Sequence, residues 1–322
     1  MLPHPGRAAF GVLCILVSAT CYGAMPIFAE FAYQRGADVR AVLLIRFAVA
    51  GIVLAMLMRA TSTAWPRGRD LRLLILMGTI GYVGQSFTYF SALTLIPPGL
   101  ASVLYYTYPA LVAICVAVAA RRLPSVITAL SIGIATVGVG LVVGPQPASD
   151  VGGIVLALAD AVIYTGCIMA GSRVLSSTSP LATTTVVCLA AASVYGAVAL
   201  ADPPSLPNGA VGWLAALATA LISTVVAITA FFAGLRVLGP APSAGLSTVE
   251  PVITVLLAFA FLGERFTWVQ AGGIGLICVS VTTIAVTGAR RGGEPARSRR
   301  TTGTPQPGSF RQHAKGHTDD RA

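Results

Sequence analysis

Ten stretches of roughly 20 mainly apolar residues, each long enough as a helix to cross a bilayer, dominate this chain. They fall at residues 8–29, 39–58, 71–95, 99–120, 124–143, 151–171, 181–200, 211–235, 242–262 and 266–288. Barrel strands would alternate polar and apolar positions, and these stretches do not. Charged residues make up only 10% of the chain and hydrophobic ones 56%, whereas a soluble domain carries about 25% charged. The expected fold class is an all-α integral membrane protein. The first stretch looks superficially like a signal peptide with Arg7 as its basic flank. Thr20 before Cys21 is a poor cleavage residue, so an uncleaved first helix is expected.

The breaks carry turn chemistry, with "IPPG" after the third stretch, "GPQPASD" after the fifth and "ADPPSLPNG" after the seventh. Proline has no amide to donate and biases the preceding residue away from helix. Charge fixes the orientation. With a cytoplasmic N-terminus, 17 of the 21 Lys and Arg fall inside, three outside (Arg35, Arg40 and Arg265), and Arg46 lies within a helix. This obeys the positive-inside rule and places both termini in the cytoplasm. Residues 289–322 are rich in Arg, Gly, Pro and Thr and poor in large apolar side chains. Such a segment is expected to stay disordered, held loosely against anionic membrane lipid, with no motif for nucleic acid.

Shifting the chain by 142 residues overlays its halves without a gap: Gly11 on Gly153, Tyr22 on Tyr164, Phe90 on Phe232, Pro98 on Pro240 and Pro109 on Pro251. Each half then holds five spans, and five is odd, so the second half enters the membrane in the opposite sense. The expected organisation is a first five-helix repeat over 8–144, a second over 150–288, and the tail. Inverted repeats of this kind mark transporters that bind substrate near the midplane, at the seam between repeats.

Several stretches together resemble the drug/metabolite transporter superfamily, in particular its EamA-type ten-helix members. They are "CYGAMPIFAE" in the first span, "LIRFAVAG", "YFSALTLIPPGLASVLYYTYPALVA", and above all "GLSTVEPVITVLLAFAFLGERFTWVQAGGIGLICVSV". The resemblance spans about residues 8–288. It implies a carrier in the cytoplasmic membrane, commonly an exporter of amino acids or other small metabolites. The family often has Gly-Glu after the fourth helix as well as the ninth; here Arg121-Arg122 stands at the first place and Gly263-Glu264 at the second.

Ionisable groups deep in a span are costly and are functional suspects. Three qualify: Arg46, Asp160 and Glu250. At 1.5 Å per residue they lie roughly 10, 14 and 18 Å below the outer boundary. Glu250 is a candidate proton-coupling carboxylate or partner for a substrate ammonium; structurally, it could instead serve the Pro251 kink. Asp160 is a second coupling candidate, or a structural ion-pair partner for Arg46. Arg46 either binds a substrate carboxylate or anchors the fold. Gln85 and Tyr89 on the third span, with Tyr106 on the fourth, complete the candidate substrate-binding set, and Ser102, Tyr105 and Tyr108 lie beside them. Glu264 reads as a cap for the tenth helix beside Trp268. Glycines at 133–144 and 272–277 should let helices five and ten approach closely, which leaves a homodimer through those faces open.

Absences narrow the function. The only lysine is Lys315, and all three histidines (His4, His313, His317) lie near the ends, so no phosphate-binding loop and no histidine relay stands in a span. The six cysteines have no metal spacing and read as small core hydrophobes. No metal and no cofactor is expected. The leading reading is a secondary carrier, not an enzyme, exporting a small amphipathic metabolite by rocking around a cavity lined by helices three, four, eight and nine. The alternatives are an importer, a membrane-embedded enzyme acting on a lipid-linked substrate, or a channel, which a lack of charged rings disfavours.

Overall fold

The computed structural model describes residues 5–96, 101, 104–121, 126–143, 150–262 and 267–291. All regular structure among them is helical. In chain order the helices are α1 (Pro5–Gly23), α2 (Met25–Tyr33), α3 (Val39–Ala60), α4 (Gly68–Leu76), α5 (Val83–Leu95), α6 (Tyr108–Ala120) and α7 (Val126–Val143). The second half holds α8 (Val151–Val174), α9 (Pro180–Ala201), α10 (Gly209–Ala220), α11 (Ala227–Leu238), α12 (Pro240–Leu246), α13 (Glu250–Leu262) and α14 (Trp268–Arg291). Six continuous stretches are long and apolar enough to cross a membrane: Gly6–Tyr33, Val39–Ala60, Gly68–Leu95, Val151–Val174, Pro180–Ala201 and Gly209–Leu238. Shorter apolar helices cover Tyr108–Ala120, Ala129–Leu141 and Trp268–Ser280. Pro97 and Pro98 of "IPPG", the "GPQP" break, Ser102, Arg122, Glu264 and Arg265 lie outside the described residues, as do residues 292–322 of the tail.

The surface has the character a bilayer demands. Leu57, Ile80, Val118, Val155, Leu200 and Leu214 point outward and exposed, a continuous apolar exterior that water would penalise. Hydroxyls go inward. Thr184, Thr185 and Thr219 are buried and donate to the carbonyl four residues earlier, which satisfies them without a partner helix. Cysteine departs from expectation: Cys167 and Cys188 are buried, but Cys115 and Cys278 lie exposed on the outer face.

The major helix pairings all join one half of the chain to the other. α1 packs on α11, α8 on α5, α3 on α9, α7 on α14 and α6 on α12. The 142-residue shift turns the first pairing into the second and leaves α3–α9 and α7–α14 each as itself, so these four pairings follow the sequence repeat. Two glycines show it atom by atom. A Cβ on Gly11 would lie 2.9 Å from both Val237 Cγ1 and Leu238 Cγ; one on Gly153 would lie 3.0 Å from Leu95 Cβ and 2.5 Å from Ile96 Cγ2. Leu95 and Ile96 are the repeat mates of Val237 and Leu238.

Irregular winding is repeated too. A six-residue π stretch, Met77–Tyr82, separates α4 from α5, and another, Leu221–Val226, separates α10 from α11. A turn at Tyr106 and Thr107 precedes Pro109, and a 3₁₀ turn, Ser247–Val249, precedes Pro251. Each proline withholds the amide that would continue the ladder, so winding changes just before it. The first span is likewise not one helix. It breaks at Ala24, where Pro26 removes the amide that would serve the Tyr22 carbonyl.

At one end Asp38 caps α3 through the Ala41 amide at 2.7 Å, and also accepts from the Ser205 amide at 3.2 Å and from Arg40 at 3.0 Å. Burial alone would raise the Asp38 carboxyl, but these donors outweigh it and hold it below its ordinary value. A carboxylate so depressed gives stability that is complete above its unfolded pKa of about 3.9 and is lost as pH falls through its folded value. Thermal melts of the purified protein should therefore fall with acidification below about pH 4. Asp38→Ala should weaken the protein by about 1 kcal/mol near neutrality and flatten that acid limb.

The tenth helix opens on a reciprocal cap. Thr267 Oγ1 accepts from the Gln270 amide at 3.3 Å and Gln270 Oε1 accepts from the Thr267 amide at 2.9 Å. This reciprocal capping box satisfies two end amides of α14 within the described residues; the Glu264 expected as a cap lies outside them. Trp268 beside it is almost fully exposed, as an interfacial anchor should be.

Candidate functional site

The changes of winding converge on the middle of the bundle, and so do the polar residues. Tyr22 and Met25 flank the break in the first span. Arg46 comes from α3, Gln85, Tyr89 and Phe90 from α5, Tyr105 from the helical residues just ahead of the turn before α6, Tyr164 from α8, and Glu250 from the first residue of α13. These nine line one cavity of about 20 Å³, room for about one water. Tyr22, Gln85 and Glu250 keep part of their surface free, whereas Arg46, Tyr89, Phe90, Tyr105 and Tyr164 are buried.

Arg46 is 2% exposed. Its Nε donates to Thr224 Oγ1 at 2.8 Å, and that hydroxyl donates onward to the Thr219 carbonyl at 2.9 Å. The acceptor lies five residues back because Thr224 belongs to the π stretch of the second half. The π turn thus presents a hydroxyl to a guanidinium from the first half. The guanidinium carbon also lies 5.0 Å from the centre of the Phe47 ring and 5.9 Å from that of Phe90, within cation–π range.

Ion pairing among the described residues is confined to Arg40, with Asp38 and Asp202. Arg46 and Asp160 therefore do not form the bridge that their depths suggested. The carboxylate that shares a cavity with Arg46 is Glu250, and the two face each other without ion-pair contact. The Tyr106 hydroxyl also acts on Glu250 but stops short of hydrogen-bond geometry. Tyr106 itself is buried behind the wall, its ring 5.2 Å from that of Tyr105.

Two contacts fix the break in the first span against the second half. Ser223 Oγ donates to the Cys21 carbonyl at 2.7 Å, and Thr254 Oγ1 donates to the Gly23 carbonyl at 3.0 Å. Around them the rings of Tyr89, Tyr105, Tyr108, Tyr164 and Phe231 run in steps of 4.9–6.1 Å. This gives the cavity a stiff aromatic wall carrying hydroxyls, suited to a ligand with both polar and apolar parts.

Asp160 lies behind that wall. It is fully buried, and neither carboxylate oxygen has a hydrogen bond among the described residues. Gln85 and Glu250, which both line the cavity, act on it electrostatically, whereas Asp160 itself does not line the cavity. An unpaired buried carboxyl costs stability. Asp160→Leu, of similar shape, is expected to raise the stability of the purified protein by about 1–3 kcal/mol. Thermal melts at neutral pH check this; a fall in stability would mean that the carboxyl has a partner the fold depends on.

Of the six candidate site residues, the cavity gathers Arg46, Gln85, Tyr89 and Glu250, while Tyr106 and Asp160 stand one layer back. The wall differs from the expected set of helices three, four, eight and nine. The first, second and sixth spans contribute directly, and the eighth acts from behind through Thr224 and Phe231. Tyr22 and Tyr164 had a signal in the sequence, as coincident aromatics of the two halves. Thr224 had none, being one hydroxyl among many, paired 178 residues away.

An all-helical chain with an apolar exterior, repeat-related packing and a polar cavity at the seam is a multi-pass membrane protein of the transporter class. The model of the EamA-like transporter family matches it twice, at residues 9–144 and 151–286, and the chain belongs to that family. The two matches stand 142 residues apart, the same interval as the sequence repeat. Among curated proteins it is 23% identical over 291 residues to the uncharacterized transporter YcbK of Bacillus subtilis (strain 168), covering 86% of this chain and 93% of that one. It is also 23% identical over 207 residues to the uncharacterized transporter sll1319 of Synechocystis sp., covering 60% of each. A solved structure described only as "Crystal structure of protein" superposes with a TM-score of 0.73 at 22% identity, over 89% of this chain and 99% of the other; that likeness speaks to fold.

Proposed function

We propose that the chain is a secondary carrier of the plasma (inner) membrane that exports a small amphipathic metabolite, such as an amino acid or a related compound. Ten spans form two inverted five-helix repeats with both termini cytoplasmic, and the repeats rock about the central cavity to open it to either side in turn. The carrying observation is that a guanidinium, a carboxamide and a carboxylate from different spans (Arg46, Gln85 and Glu250) meet in one small cavity at the seam. In this reading Arg46 receives a substrate carboxylate, Gln85 and the tyrosine hydroxyls orient it, and Glu250 carries a proton or faces a substrate ammonium. Asp160, outside the cavity, is the second coupling carboxyl. The aromatic wall takes the apolar part.

Metabolites released by cells expressing the chain, compared with cells carrying an empty vector, test the assignment. A carrier is expected to enrich at least one unaltered cell metabolite in the medium. A chemically new product would point to an enzyme, and depletion of a medium component would point to import.

A further inference from the structure

Away from the central cavity, Arg69, Arg72 and Arg173 surround one recess of about 710 Å³ at an end of the bundle. All three are exposed, and none takes part in an ion pair among the described residues. The carboxylate of the recess, Asp70, accepts a hydrogen bond from Ser177 Oγ at 2.7 Å. Three guanidinium groups against one carboxylate leave the recess with a net positive charge. Arg173 also borders a second hollow, a groove of about 500 Å³ between α6 and α8 whose walls include Leu111, Ile114, Cys115, Val118, Gly166 and Met169. A cationic mouth thus adjoins a long apolar cleft.

The repeat joins the two hollows. Under the 142-residue shift they correspond to a single groove in the other half, of about 530 Å³, bordered by α2, α10 and α13. There Phe31, Val211 and Leu214 occupy the positions of Arg173, Arg69 and Arg72. The shape is repeated and the chemistry is not. A preference for positive charge on one side of the membrane accounts for arginine on that face. It does not account for three arginines around a recess that runs into an apolar cleft.

We infer that this recess and groove hold one anionic phospholipid, its phosphate on Arg69, Arg72 and Arg173 and an acyl chain between α6 and α8. Guanidinium forks match phosphate oxygens, and basic pockets between helices at the membrane surface hold anionic headgroups. The bound chain bridges α6 and α8, which present Tyr108 and Tyr164 to the aromatic wall of the central site.

The test is native mass spectrometry of the full-length protein, released from vesicles containing phosphatidylglycerol and phosphatidylcholine with identical acyl chains. The protein is expected to retain phosphatidylglycerol over phosphatidylcholine at least about tenfold. Arg69→Gln/Arg72→Gln/Arg173→Gln should abolish that preference, and Arg59→Gln on the end of α3 should keep it. Gly166→Phe should lower retention to a similar degree with every charge in place. A Cβ at Gly166, which lines the cleft, meets nothing within 4 Å, so the new side chain starts in open space and this variant carries the test if the arginine variants fail to fold. Equal retention of the two lipids by the parent would overturn the inference, as would unchanged retention in Gly166→Phe. Displacement of the lipid by millimolar inorganic phosphate would overturn it in favour of a site for free anions.

Discussion

Gly11→Leu and Gly153→Leu are expected to destabilise the protein by about 1–3 kcal/mol each, and by similar amounts. A Cβ on Gly153 would sit 2.5 Å from Ile96 Cγ2, and one on Gly11 would sit 2.9 Å from two atoms of Val237 and Leu238. Neither contact relaxes locally, because each places the opening helix of one half against the third span of the other. The near-equality of the two effects distinguishes this account from one in which either glycine is incidental. Gly153→Ala/Ile96→Ala should recover most of the loss from Gly153→Ala alone, since the closest clashing atom goes with Ile96. Thermal melts and the monodisperse fraction after purification report it. A large effect at one glycine and none at the other would mean that the halves are not held by equivalent contacts.

The second large effect concerns Glu250. If its carboxylate carries the coupling proton, one proton per substrate at a gradient of one pH unit supports about a tenfold concentration ratio. Glu250→Gln should lower that ratio to about one in sealed vesicles, while exchange of labelled for unlabelled substrate continues. The separation of driven accumulation from exchange identifies a coupling residue. Loss of both would assign Glu250 to substrate binding or to the fold, and retention of the full gradient would remove it from coupling.

Much of this architecture is legible in the chain because it depends on local chemistry or on period. Apolar length gives spans, prolines mark where winding changes, and a gapless 142-residue self-match gives the repeat. Arg46 and Glu250 stand out because charge in lipid is expensive. What the chain does not display is pairing at long range. The two π stretches carry no proline: "LISTVV" reads as ordinary helix, and Gly78 and Gly81 in "MGTIGY" weaken a helix without specifying a π turn. Their effect, aiming Thr224 at Arg46, depends on helices from opposite halves being packed. Similar depth leaves an Arg46–Asp160 bridge open, but depth fixes one coordinate of three. Asp160 is buried outside the cavity that holds the guanidinium, and the two form no ion pair. The cap of the tenth helix is legible as the Thr267-x-x-Gln270 pattern.

The central claim is that one cavity at the seam opens to each side of the membrane in turn. The most direct test labels Gln85→Cys, in a chain otherwise free of cysteine, with a membrane-impermeant thiol reagent applied separately to each face of sealed vesicles. Gln85 lines the cavity without carrying charge, so the substitution leaves Arg46 and Glu250 in place. Labelling from both faces, slowed from both by a transported compound, is the predicted result. Labelling from one face alone would contradict alternating access through this cavity.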